Sequence, residues 1–311
     1  MINRILFPLF VWMLAFGILL LIILLPMDTV FTEGRGGSFG GAVYDYQFMN
    51  HWANIKFFFS YILEQRGLGL DQFGNPVSDQ ITSVFGRSLK IFVPAILIGF
   101  FLGIAKGVMD YRFRKGKGRI LGQYTTAGVM AIPDIAMIIL IQMTILYLQA
   151  QGLVDIDLFG HDTIDNVLMN ILYLSIYPVM FISAITFKAL EDEQGMDYVR
   201  TARSKGTPSM KVLYIHMLKN GMLKIFAHSN TMILYTLSNL FIVEVFTEYR
   251  GAAFYMYTTL GSATSFNVGG LLSADVISQI GYVFLFTVFI LLANIVSGMA
   301  RSIVSVQEEK L

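Results

Sequence analysis

The sequence is 311 residues long, 55% hydrophobic and only 14% charged, with a mean hydropathy of +0.64, whereas soluble domains carry about 25% charged residues. That balance excludes an ordinary soluble globular protein and describes an integral membrane protein. A formal net charge of +1 gives no reason to expect nucleic acid as a partner, and the absence of cysteine excludes disulfides and any thiolate nucleophile or metal site.

The first expected crossing, residues 6–26, carries no charge and at about 20 residues is long enough to pass once through a hydrocarbon layer of roughly 30 Å. A cleaved signal peptide is the competing reading. The uninterrupted apolar length, and the lack of a small-x-small pattern directly after it, favour an uncleaved helix. Residues 27–85 then turn polar, with a glycine-rich start (Gly34, Gly36, Gly37, Gly40, Gly41) and an aromatic middle around Trp52 and Phe57 to Phe59. They are expected to form a small extracellular subdomain that either docks a soluble partner or covers the mouth of a pathway.

Five further crossings are expected at 88–108, 120–150, 166–187, 225–243 and 276–300, within a core spanning 86–302 and ahead of a short tail, 303–311. The expected fold class is therefore all-α, a membrane protein of six transmembrane helices. With the amino terminus inside, sixteen of the 22 lysines and arginines fall on the inner side and six on the outer. The positive-inside rule demands this asymmetry, so both termini are expected in the cytoplasm of a multi-pass cell-membrane protein. The acidic loop 151–165, with Asp155, Asp157, Asp162 and Asp165 and no basic residue, falls outside. No internal repeat is visible, which weakens a two-fold secondary transporter.

Within the second expected crossing, Gly99, Gly103 and Gly107 recur every four residues. They clear one helix face for close approach of a neighbour, with gating as the alternative role. In the third, Pro133 removes a backbone donor and is expected to kink or break the helix, while Asp134 beside it caps the freed N–H groups. Asp134 and Glu244 are the acids in or bordering apolar spans, so both are expected to face protein or a water-filled pathway and are candidates for the pathway or its gate. The four histidines, His51, His161, His216 and His228, form no metal-binding pair and are expected on opposite membrane faces. His228 faces either the pathway or the membrane interface. The run from Gly36 to Gly40 fits G-x-S-x-G but lies in a glycine cluster, which makes an intramembrane hydrolase a poor reading. The basic run from Arg112 to Arg119 has no interleaved aromatic platform for nucleic acid and is expected to act as a topology determinant, with contact to anionic lipid as a further role open to it.

The longest polar interruption after residue 100 is 190–224, expected on the cytoplasmic side between the fourth and fifth crossings. Residues 197–206, DYVRTARSKG, read as a short helix with its own stop. Asp197 is placed to cap its start, Arg200, Arg203 and Lys205 suit its C-terminal end, and Gly206 supplies a left-handed terminator. A second helix follows, with Thr207 as N-cap and Pro208 at the first helical position. Two capped helices in succession make a basic wedge suited to docking another protein.

DYVRTARSKG followed by HMLKNGML resembles the coupling loop of ABC importer permeases, specifically the oligopeptide/dipeptide/nickel permease family. The segment LGLDQFGNPVSDQI, with Pro76 and Val77, resembles the family's lead into its core helices, and the triplet Ile132, Pro133, Asp134 resembles its third helix. The chain departs from the pattern at Lys224, which replaces a proline, at Arg250 and Gly251, which replace Pro-Gly in the stretch after Glu244, and in lacking the terminal Asp-Pro-Arg. The resemblance implies that Asp197, Tyr198, Arg200, Thr201, Ala202, Arg203, Lys205, Gly206, His216 and Asn220 couple this chain to a cytoplasmic ATPase. It also implies a second homologous permease, two ABC ATPase subunits and an extracellular substrate-binding protein or lipoprotein. No G-x-x-x-x-G-K-[ST] occurs, so ATP and magnesium are expected in the partner subunits, with no cofactor on this chain and no catalytic activity of its own. An ion-gradient-driven secondary transporter is the alternative.

Overall fold

The computed structural model describes residues 2–26, 29–33, 39–70, 74–116, 118–259 and 275–308. Helix α1 (Ile2–Ile23) is followed by an antiparallel hairpin of β1 (Thr29–Glu33) and β2 (Phe39–Tyr44), with a bulge between Thr32 and Glu33. The hairpin adds two strands to a chain expected to be all-α. Gly36 to Ser38 of the G-x-S-x-G run lie outside the described residues. Helix α2 (Phe48–Gln65) ends where Arg66 turns left-handed, its N–H donating to the Ile62 carbonyl. Helix α3 (Val77–Arg112) starts well ahead of the crossing expected from residue 88 and, at 1.5 Å per residue, is about 54 Å long.

The third expected crossing is not one straight helix. A π-helical turn at Ile120–Tyr124 leads into α4 (Thr125–Met130), and α5 (Asp134–Ala150) departs at 104° from it. Pro133 causes the break: it has no N–H to give the preceding turn, and it biases Ile132 away from helical geometry. Helix α6 (Ile164–Glu193) begins with a reciprocal cap in which the Asn166 N–H donates to Thr163 Oγ1 (3.3 Å) and the Thr163 N–H donates to Asn166 Oδ1 (3.1 Å). After it come α7 (Asp197–Ser204), the single turn α8 (Ser209–Lys211), a π-helical stretch at Val212–Leu218, α9 (Lys219–Ala227), α10 (Ser229–Phe246), α11 (Ala252–Thr259) and α12 (Val276–Glu308).

Among the described residues, four helices are long and apolar enough to cross a membrane: Leu6–Ile23 in α1, α3, α6 and Val276–Gly298 in α12. Counting the bent α4–α5 pair as one span makes five. The remaining expected crossing, 225–243, is divided between α9 and α10 at His228, and α10 carries Asn230, Asn239 and Glu244. The fold divides into two compact units, Met1–Gly86 with Gly251–Leu291, and Arg87–Arg250 with Leu292–Leu311. The first is centred on Val77, Ile81, Val84, Ala252 and Tyr282. The core of the second includes Ile182, Ala189, Ile225 and Met232.

Candidate functional site

The segment 190–224 is a folded wedge. Helix α7 turns Val199 and Ala202 inward, where they join Val108 and Tyr111 of α3, Phe187 and Leu190 of α6, and Val212, Leu213 and Met217 of the π-helical stretch. Its other face is open: Asp197 is 97% and Arg200 75% exposed at the side chain, and Thr201, Arg203 and Lys205 are exposed beside them. The end of α7 closes as a Schellman motif. The Thr207 N–H donates to the Ala202 carbonyl (3.1 Å), the Gly206 N–H donates to Arg203 (3.0 Å), and Gly206 sits at φ +73°.

Two expected caps are corrected. Asp197 is the first helical residue, preceded by Met196 as N-cap, and makes no capping bond. It pairs instead with Arg200 at 3.6 Å. The second helix starts at Ser209 with Pro208 as N-cap, so Thr207 caps nothing; its backbone is already committed to closing α7. The expected coupling residues therefore divide by role. Asp197, Arg200, Thr201, Arg203 and Lys205 lie on the open face, Ala202 holds the wedge to its core, and Gly206 shapes the turn. His216 is half-buried in the π-helical stretch.

What fixes the wedge to α6 was not legible in the motif. The Tyr198 hydroxyl donates to the Glu193 carboxylate and is hydrogen-bonded with Asn220, while Lys224 Nζ reaches Glu193 (3.3 Å) and Asp192 (3.5 Å). Burial first, and then the Glu193 carboxylate, push the Tyr198 hydroxyl up to about 12, so it remains a donor at neutral pH. Lys224 thereby closes an ionic clasp between α9 and the end of α6.

A second polar network lies in the interior. The Asp110 carboxylate, 1% exposed, receives Lys106 Nζ (2.9 Å), Thr126 Oγ1 (2.7 Å) and Ser183 Oγ (2.8 Å), joining α3, α4 and α6. The sequence signal was the i,i+4 Lys–Asp pair within an apolar helix. Alongside it, the glycine stripe meets α6. A Cβ on Gly99 would collide with Pro178, one on Gly103 would lie 2.7 Å from Ile182 Cβ, and one on Gly107 would lie 2.5 Å from Thr186 Cβ. The packing role expected for Gly99, Gly103 and Gly107 thus has its partner, a matching four-residue stripe on α6.

Asp134 is also corrected. Pro133 is the N-cap of α5, and Asp134 makes no capping bond; its carboxylate accepts from the Tyr235 hydroxyl of α10. Tyr235 in turn stacks on Tyr177 of α6, with ring centroids 3.7 Å apart. Asp134→Asn is expected to leave the thermal midpoint of the purified complex unchanged, because the amide oxygen still accepts from Tyr235. Asp134→Leu is expected to cost about 1–3 kcal/mol through the stranded hydroxyl. Glu244 is fully buried and accepts from Ser88 Oγ at 2.5 Å, and its backbone carbonyl accepts from the Tyr249 N–H. Asp134 and Glu244 both face protein, on different partners.

Comparison with known proteins agrees with this assembly of features. Residues 95–305 match the model of the family described as binding-protein-dependent transport system inner membrane component. The chain is 24% identical over 188 residues to the dipeptide transport system permease protein DppB of Bacillus subtilis, covering 59% of this chain and 58% of that protein. It is 31% identical over 78 residues to DppB of Escherichia coli K12, covering 24% of this chain and 23% of that one. The chain thus matches less than two thirds of the length of these relatives. Because the family match takes in α6, the wedge with its DYVRTARSKG helix and the spans on either side, the chain belongs to the family of binding-protein-dependent transport system inner membrane components.

Proposed function

We propose that this chain is the transmembrane permease subunit of an ATP-driven ABC importer for peptides or related small solutes. It forms the translocation pathway with a second homologous permease, receives substrate from an extracellular binding protein or lipoprotein, and is driven by two cytoplasmic ABC ATPases that bind the ATP and magnesium. In this reading the chain crosses the cell membrane six times with both termini in the cytoplasm. The bent α4–α5 pair and the α9–α10 segment supply the third and fifth crossings, while Asp134 and Glu244 serve the pathway or its gate. The dipeptide permeases among the relatives support the substrate class.

The observation that carries the proposal is the wedge at 190–224, which buries one face of α7 against the ends of α3 and α6 and leaves Arg200, Arg203 and Lys205 open. Such a face transmits a push on α7 directly into α6. The Gly206 turn tests it. A Cβ at this position would meet nothing within 4 Å, so it adds no clash of its own and the positive φ sets the cost, about 1–2 kcal/mol. Gly206→Val is expected to lower substrate-stimulated ATPase activity of the reconstituted complex on the order of tenfold with normal membrane insertion, and Gly206→Asn, which tolerates the left-handed region, to restore most of it. Wild-type coupled turnover in Gly206→Val would remove the wedge from the coupling path.

A further inference from the structure

Helix α2 is bonded across the end of a membrane span. The last carbonyls of a helix have no partner within it, and at the end of α1 two carbonyls are taken by α2 side chains: His51 Nε2 donates to that of Leu21 in the last turn (3.0 Å) and Asn54 Nδ2 to that of Leu24, the residue just after the helix (3.2 Å). Tyr46 donates to His51 Nδ1 at 3.1 Å, which fixes the ring. Ile55, Phe58 and Ile62 of α2 pack with Phe16, Leu20 and Ile23 of α1, with Leu24 just after it, and with Ile280 of α12. These contacts hold α2 at the level where α1 leaves the hydrocarbon. No residue of the Leu6–Ile23 window of α1 is fully buried, and away from its contacts with α2 and α12 it exposes Phe7, Phe10, Met13, Leu14, Ile18 and Ile22.

That inner face is not α2's only apolar face. At about 100° per residue, Phe48, Met49, Trp52, Lys56, Phe59 and Leu63 fall within an arc of roughly 100°. The five apolar members are 44 to 78% exposed. The one charge in the arc, Lys56, lies with its Nζ 5.5 Å from the Trp52 ring centroid. Ala53, Ser60 and Glu64 occupy an adjoining exposed sector. The helix thus has a sector packed on protein, an exposed apolar arc, and an exposed mixed sector in which Ser60 and Glu64 stand beside Phe57; a protein-facing side with an apolar and a polar exposed side suits the boundary of a bilayer. Aromatic side chains with a long lysine stem are the composition that settles at headgroup level.

We propose that α2 is an interfacial helix whose Phe48–Leu63 stripe is seated in the lipid headgroup and upper acyl layer, on the side of the membrane where α1 ends. It anchors the segment after the first span to the bilayer, and the stripe is not a docking face for a soluble protein. The proposal depends on α1 being a membrane span and is independent of what the importer carries or how it is energised. Lipid is preferred over a protein partner because α2 is bonded to the end of α1, a helix whose own exposed residues are apolar and long enough in sequence to cross a bilayer.

The chain has no cysteine, which permits nitroxide labelling of single variants Met49→Cys, Leu63→Cys and Glu64→Cys before assembly with unlabelled partners. The full complex is then reconstituted in phosphatidylcholine/phosphatidylglycerol vesicles, and collision with oxygen and with a water-soluble nickel chelate is measured by power saturation. Labels at 49 and 63 are expected to favour oxygen and to report a depth of about 5–10 Å below the headgroups, while the label at 64 favours nickel. Nickel-dominated collision at 49 and 63 would overturn the proposal in favour of a solvated face. Immobilised labels at 49 and 63, shielded from both reagents, would overturn it in favour of a protein partner. Normal substrate uptake by the labelled complexes, measured in parallel, separates either failure from a failure of the importer reading.

Discussion

Replacement of Gly103 by leucine is expected to abolish accumulation of folded protein, or to lower its thermal midpoint by well over the shift seen for any surface change. The Cβ alone would stand 2.7 Å from Ile182 Cβ and 3.0 Å from the Val179 carbonyl oxygen. No rotamer relieves a clash that begins at Cβ, so α3 and α6 must separate. Overpacking of this kind costs about 1–3 kcal/mol even where side chains can adjust, and here backbone is part of the obstacle. Separation would also open the contacts at Gly99 and Gly107, because the three glycines share one helix face. Gly17→Leu in α1, where nothing lies within 4 Å, is the matched control and is expected to behave as wild type. Fluorescence-detected size exclusion with a thermal ramp checks both, and equal midpoints for Gly103→Leu and Gly17→Leu would show that α3 and α6 do not depend on this approach.

Asp110→Ala is expected to be nearly as damaging, for an electrostatic reason. The carboxylate is buried and serves Lys106, Thr126 and Ser183 together. Its loss leaves a largely buried ammonium without its counter-charge and two hydroxyls without an acceptor. Breaking one side of a buried ion pair costs about 3–5 kcal/mol, whereas replacing both partners with apolar groups is often close to neutral. The double variant Lys106→Met with Asp110→Leu is therefore expected to recover much of the lost thermal midpoint. Recovery distinguishes a removable charge pair from a network required as such. If Asp110→Ala by itself melts with the wild type, the network carries no stability.

The two results bear on function through one element. Helix α6 receives the glycine stripe of α3 along its length, Ser183 ties it to Asp110, and its end carries the Glu193 and Asp192 carboxylates that hold Tyr198 and Lys224. In the proposed reading, a force applied to the open face of α7 would be delivered to a helix held by these contacts.

Much of this was written locally in the sequence. Apolar length identified α1, α3, α6 and α12 as spans, because a hydrocarbon layer constrains composition residue by residue. The stop at Gly206 was legible because a left-handed terminator is a property of one residue and its neighbours. Pro133 announced its break for the same reason. The small residues at 99, 103 and 107 announced a close neighbour, though not which one.

Tertiary structure alone decided the rest. Asp134 and Asp197 are both at helix starts and both suited to capping, yet neither caps. Asp134 instead accepts from a hydroxyl a hundred residues away in sequence, and Asp197 pairs with Arg200. Tyr198 and Lys224 meet at Glu193 only because α9 returns along α6. The magnitude of the bend after α4, 104°, is likewise not a property of proline, which removes one bond and sets no angle. Sequence pattern determined the four long apolar helices, the stop at Gly206 and the break at Pro133, since those free energies are local. Which polar side chains find one another was settled by packing, since a buried donor takes whichever acceptor the fold brings within reach.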